Sequence, residues 1–104
     1  MAWLLLGLAG ALEVVWAFSL KASEGFTRPI PVLVTVVAAG ASFWLLALAM
    51  RDLPLGTAYA VWTGIGAIGA FLVGILVLGE GAGALRVASV VLILAGLVGL
   101  KLSS

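Results

Sequence analysis

The sequence of 104 residues is 65% hydrophobic and only 9% charged, whereas a water-soluble domain is about half apolar and about a quarter charged. The net charge is +1 without a basic run, so we expect no nucleic-acid partner, and the lack of cysteine and histidine excludes disulfides, thiol redox chemistry and the commonest metal ligands. At about 20 residues per crossing, the length allows four transmembrane helices with very short connections. We therefore expect an all-α, multi-pass membrane protein with a single domain over residues 1–104 and no cofactor or metal.

Four apolar segments separated by short polar loops give the predicted helices in chain order. The first spans about residues 2–20, and Glu13 within its apolar run, with no basic segment before it, argues against a cleaved signal peptide. The second spans about residues 30–50, after Pro29 and Pro31, which suit a first helical turn. The third spans about residues 57–78, with Thr57 as its expected cap, and the fourth about residues 85–102.

Glu13 is the charged residue that is predicted to lie deepest in the membrane. At 1.5 Å per residue it lies about 18 Å along the first helix, near the middle of the bilayer. Because a charge there costs several kcal/mol, such residues usually face a cavity or a partner and belong to an ion or proton pathway. A cation beside the carboxylate favours its ionised form, so protons and the cation compete for one group, which is the physical basis of an antiporter. The alternative is a structural carboxylate satisfied by a neighbouring helix.

Aromatic side chains recur at helical spacing near this carboxylate. Trp16 lies three residues after Glu13 and Gly10 three residues before it, so the three share one helix face. A flat cation can be held edge-on by the carboxylate and face-on by the indole ring. Tyr59 and Trp62 repeat the spacing on the third helix, where they either line a cation site or only pack together.

Small and hydroxyl residues in the other helices favour helix pairing. Ser42 lies deep in the second helix. A serine in such a place more often bonds its own backbone or a neighbouring helix than it takes part in function. Ser89 and Gly96 lie seven residues apart in a small-residue stripe of the fourth helix, which we interpret as the dimerisation helix.

The segment 64–69, GIGAIG, has the letters of a dinucleotide-binding fingerprint, but it lies inside an apolar helix without a preceding strand. Its glycines are better interpreted as points of close helix approach or bending.

The distribution of lysine and arginine gives almost no signal for one orientation in the membrane. Lys21, Arg28 and Arg86 flank one side, and Arg51 and Lys101 flank the other. We therefore expect the chain to insert in both orientations. Two antiparallel copies would supply the inverted repeat that many transporters use for alternating access.

Four stretches of the chain resemble the small multidrug resistance family, and the resemblance extends over the whole length: LEVVWA at 12–17, SEGFTR at 23–28, GTAYAVWTGIG at 56–66 and GLK at 99–101. The tryptophan three residues after the glutamate, the WTGIG segment and the closing GLK are similar to its guanidinium exporter subtype. The multidrug subtype usually has a small residue in place of Trp16.

This resemblance implies an antiparallel, dual-topology homodimer that exchanges protons for guanidinium across the bacterial inner membrane and contacts membrane lipid. Glu13 would bind both protons and substrate, and Gly10 would leave room beside it. The implied surround of this carboxylate comprises Trp16, Ser42, Tyr59 and Trp62.

Two other functions remain as alternatives. Residues 23–28 and 41–44 also resemble multidrug exporters, so an exporter of quaternary ammonium and other lipophilic cations is the first alternative. A non-transport assembly subunit or lipid-binding membrane module is the second. No nucleophile–base pair or metal cluster in the sequence indicates an enzyme.

Overall fold

The computed structural model describes residues 1–103, and this part of the chain forms four α-helices without any strand. They are α1 (Ala2–Ala22), α2 (Pro29–Ala49), α3 (Leu55–Leu76) and α4 (Ala84–Leu102). All four are long and apolar enough to cross a membrane. The predicted all-α fold with four spans is thereby confirmed, whereas the antiparallel dimer stays a prediction. Ser104, the last residue of the predicted domain, lies outside the described residues.

The ends of α3 depend on backbone geometry at a proline and a glycine. The prediction that Thr57 caps this helix is wrong, because the helix begins two residues earlier and Pro54 is its N-cap, with no side-chain cap bond. The carbonyl of Pro54 accepts the amide of Ala58 at 2.9 Å, so the first turn closes without a hydroxyl. At the other end, Gly79 has φ +70°, and the amide of Glu80 donates to the carbonyl of Gly74 at 2.9 Å. This left-handed turn ends the helix before residue 78.

The helices pack around α1, which contacts both α2 and α3, while α4 packs along α3. The buried core is made of small and aliphatic side chains with one indole: Leu6, Ala9, Leu46, Ala49, Ala58, Val61 and Trp62. The molecule is flat, with extents of 41 × 34 × 16 Å. No residue of Ala84–Leu102 is buried. One chain therefore leaves α4 and broad faces of the other helices open.

Candidate functional site

A chain of two hydrogen bonds through Ser42 joins the three helices around the predicted site. The hydroxyl of Ser42 is fully buried; it donates to the carbonyl of Ala9 at 2.6 Å and accepts the indole N–H of Trp62 at 2.9 Å. Ala9 precedes Glu13 by four residues, so the same carbonyl is the helical acceptor of the Glu13 amide. The α1 backbone is therefore held by α2 and α3 one turn before the carboxylate.

Glu13 itself lies at the contact between α1 and α3. Its Oε1 atom is buried and has no hydrogen-bond partner within residues 1–103. The side chain rests on Gly66 of α3 and fills the space where a Cβ of residue 66 would stand, with Cγ at 2.7 Å from that position and Oε1 closer still. A buried acceptor without a donor is unfavourable, and a hydrogen-bond donor or cation that reached it would remove that penalty.

Four aromatic rings form a row across α1, α2 and α3, and the first of them, Trp16, follows Glu13 by one helical turn. The ring centroids of Trp16 and Phe43 are 6.4 Å apart, those of Phe43 and Trp62 are 5.5 Å apart, and those of Tyr59 and Trp62 are 5.6 Å apart, all with tilted planes. Such separations are those of attractive aromatic pairs. The indole nitrogen of Trp16 is buried without a partner in the described part of the chain. The structure thus brings Glu13 and the predicted aromatic residues to one region.

Phe43 is the member of this row that the sequence analysis did not single out. Its ring links the aromatic residues of α1 to those of α3. Phe43 is 52% exposed and Tyr59 is 54% exposed. A phenylalanine in an apolar helix cannot be distinguished by its polarity from a lipid-facing residue. Its position next to Ser42 was therefore the one feature of the sequence that could have indicated a place near the site.

Gly10 does not border an open space in a single chain. A Cβ at this position would lie 2.7 Å from the Cβ of Ile65, so the glycine allows α3 to approach α1 closely. Its contribution to a binding chamber stays a prediction.

The two predicted dimerisation residues of α4 lie on an open surface. Ser89 is exposed, and its hydroxyl donates to the carbonyl of Leu85 in its own helix at 2.8 Å. A Cβ added at Gly96 would meet nothing within 4 Å among the described residues. The stripe is therefore uncovered in one chain, and its role in dimerisation stays a prediction.

We predict that Ser42→Ala destabilises the protein by about 1 kcal/mol, the usual size of an interhelical hydrogen bond in a membrane protein. The substitution leaves the Trp62 indole N–H without its acceptor and removes one donor from the Ala9 carbonyl. The free energy of unfolding in mixed micelles with increasing dodecyl sulfate measures the effect. Thr35→Val is the matched control, because Thr35 is also buried in α2 but donates only to Pro31 of its own helix, at 2.8 Å. Equal losses in the two variants would contradict the bridging role of Ser42.

Comparison with known proteins gives matches over nearly the whole chain. A family model described as Small Multidrug Resistance protein matches residues 1–93. A protein of Yersinia pestis named Guanidinium exporter is 59% identical over 104 residues, which cover 100% of both chains. Proteins with the same name from Escherichia coli (strain K12) and Citrobacter freundii are 57% identical over 104 residues, which cover 100% of this chain and 99% of each relative.

Proposed function

The chain belongs to the small multidrug resistance family, a family of membrane transport proteins, and we propose that it exports guanidinium in exchange for protons. It is a multi-pass protein of the inner membrane. The observation that carries the proposal is the carboxylate of Glu13, buried at Oε1 without a partner among residues 1–103 and one helical turn from Trp16. Full-length relatives named Guanidinium exporter support the choice of substrate.

The chemistry of this pair suits a small flat cation. A carboxylate accepts two parallel N–H bonds from one edge of a guanidinium ion, and an aromatic ring attracts the face of the same ion. Neither α2 nor α3 carries a charged residue, so neither helix offers a second acid that could replace Glu13. Protons and the cation therefore exclude one another at this group, and that exclusion couples export of one to import of the other.

Export of lipophilic cations is the second candidate. Phe43 and Tyr59, each more than half exposed, provide aromatic surface for a larger ion. Trp16 favours the small substrate, because its indole takes up the space beside Glu13 that a quaternary ammonium ion would need.

Transport by purified protein in liposomes tests the proposal and separates the two candidates. An outward guanidinium gradient should drive protons inward, and tetraethylammonium at the same concentration should drive much less exchange. The opposite preference would indicate the multidrug function, and lack of exchange with either cation would contradict both.

We propose further that the working unit is an antiparallel homodimer with two Glu13 residues in one chamber. The flat shape of one chain, the lack of any buried residue in Ala84–Leu102 and the near balance of lysine and arginine support this arrangement.

The two Glu13 carboxyl groups of such a dimer would titrate as a coupled pair, because they lie close together. If both must be ionised to bind one guanidinium, two protons enter for each cation that leaves, and the exchange is electrogenic. Accumulation of guanidinium driven by a membrane potential alone is then expected, and indifference to the potential would show that one proton is coupled.

We predict dual topology for the unmodified chain. Reporters fused to the C-terminus should be active on both sides of the membrane, because the flanking positive charges differ by only one between the two sides. A pair of lysines added to the loop between α1 and α2 would make the count five against two and should shift the population toward one orientation. A single fixed orientation of the unmodified protein would refute the antiparallel homodimer.

A further inference from the structure

Three glycines of the GIGAIG segment in α3 each receive a side chain from another helix. A Cβ at Gly64 would lie 2.6 Å from Cδ2 of Leu97, and a Cβ at Gly69 would overlap the Cγ2 of Val14. A Cβ at Gly66 would overlap the carboxyl group of Glu13. Since real Cβ atoms do not approach other heavy atoms so closely, a Cβ added at any of these three positions would force the neighbouring side chain to move.

Gly66 differs from the other two because its neighbour is a carboxyl group and not an alkyl group. Oε1 of Glu13 is buried there, with no donor from the described residues. Gly66 has no side chain that could donate a hydrogen bond to this oxygen, and the Cα–H group of its backbone is only weakly polarised. An ionised carboxylate held in this contact would be a buried charge without a partner, whereas the neutral acid loses much less when it leaves water.

The charged and titratable groups around this contact do not change that comparison. Along α2 there is no titratable side chain, and along α3 there is only Tyr59, which is mostly exposed at the ring row described above. On α1 itself the nearest charge is Lys21, two helical turns further on and exposed. The two charges of α4, Arg86 and Lys101, lie near its two ends, each over an aromatic ring. The contact between Glu13 and Gly66 therefore favours the protonated side chain.

We propose that Gly66 is a positioning residue that holds the protonated carboxyl group of Glu13 between α1 and α3, out of reach of the transported cation. This inference rests on the proposed function and adds a second position for the carboxyl group. Ionisation drives the side chain away from Gly66 toward the aromatic row, where a cation binds it, and protonation returns it. A glycine is required because the Cβ of any other residue occupies the place of the carboxyl group.

Gly66→Ala tests the proposal through the pH dependence of guanidinium binding to the purified protein. The added methyl group displaces the carboxyl group into the wetter chamber, where the proton is held less tightly. Protons then compete less well, and the midpoint of binding should move about one pH unit lower, which is about a tenfold loss of proton affinity. Gly69→Ala is the matched control, because it displaces Val14 at the same α1–α3 contact without touching the carboxyl group. Gly40→Ala, where a Cβ meets nothing within 4 Å in the described part of the chain, controls for the change in helix propensity.

An unchanged midpoint in a folded Gly66→Ala protein would overturn the proposal. An equal shift in Gly69→Ala would also overturn it, because the spacing of the helices would then be the cause.

Nuclear magnetic resonance of the Glu13 side chain separates this proposal from the proposed function. The carboxyl carbon reports protonation without any substrate, so its titration midpoint should also be about one pH unit lower in Gly66→Ala, even if the protein bound no guanidinium. If the variant does not fold, the unmodified protein decides the question. A cross-peak between the Glu13 Hγ and Gly66 Hα protons is expected at acid pH and should disappear on ionisation, and its persistence in the ionised protein would refute the proposal.

Discussion

Glu13→Gln is expected to abolish proton-driven guanidinium exchange, reducing the initial rate in liposomes to that of liposomes without protein. Glutamine preserves the length and shape of the side chain, so the contact with Gly66 and the Ser42 bridge to Ala9 remain available. It cannot ionise, and no other acid lies in the predicted membrane interior of the chain to replace it. Both the acceptor for the cation and the exchangeable proton are lost together. Binding of guanidinium should also lose its pH dependence.

Glu13→Asp is the control for this prediction. It keeps an ionisable carboxyl group but shortens the side chain by one methylene, so exchange should persist with a shifted pH profile. A glutamine variant that still concentrated guanidinium under a pH gradient would refute the central role of this residue.

The spans were predictable from the sequence because each is a continuous apolar segment bounded by polar or helix-breaking residues. The ends were less predictable, since they depend on local backbone geometry. α1 continues to Ala22, past the expected end near residue 20, and Pro54 rather than Thr57 is the N-cap of α3. Polarity alone does not reveal that the carbonyl of a proline can close the first turn.

The spacing of the candidate site residues within one helix was also predictable, because Trp16 follows Glu13 and Trp62 follows Tyr59 by three positions. Contacts between helices were not. A helix that is apolar on all sides has no hydrophobic face to fix its rotation, so the bridge from Ser42 to Ala9 could not be derived from hydropathy. The glycines of segment 64–69 were predicted to be points of close helix approach. The contact of one of them, Gly66, with Glu13 was not predicted.

Trp16→Gly is expected to weaken guanidinium binding about tenfold, which corresponds to about 1.4 kcal/mol and lies within the usual range for a cation on an indole face. The same change should raise transport of tetrapropylammonium. Removal of the indole takes away the ring nearest to Glu13 on its own helix and uncovers the side of Phe43 that faces it, at a centroid distance of 6.4 Å. The carboxylate would then border a wider aromatic space.

Competition binding with guanidinium and tetrapropylammonium at one fixed pH measures the change in the relative affinity for the two cations. Trp44→Gly is the matched control: it makes the same substitution in α2 at a residue that is 64% exposed, so it carries the same loss of helix propensity without altering the surroundings of Glu13. Trp16→Phe keeps a ring and should retain most of the guanidinium affinity. If Trp16→Gly and Trp44→Gly changed the two affinities alike, the indole of Trp16 would be a packing residue. Selection of the small cation would then have to come from the aromatic residues of α2 and α3.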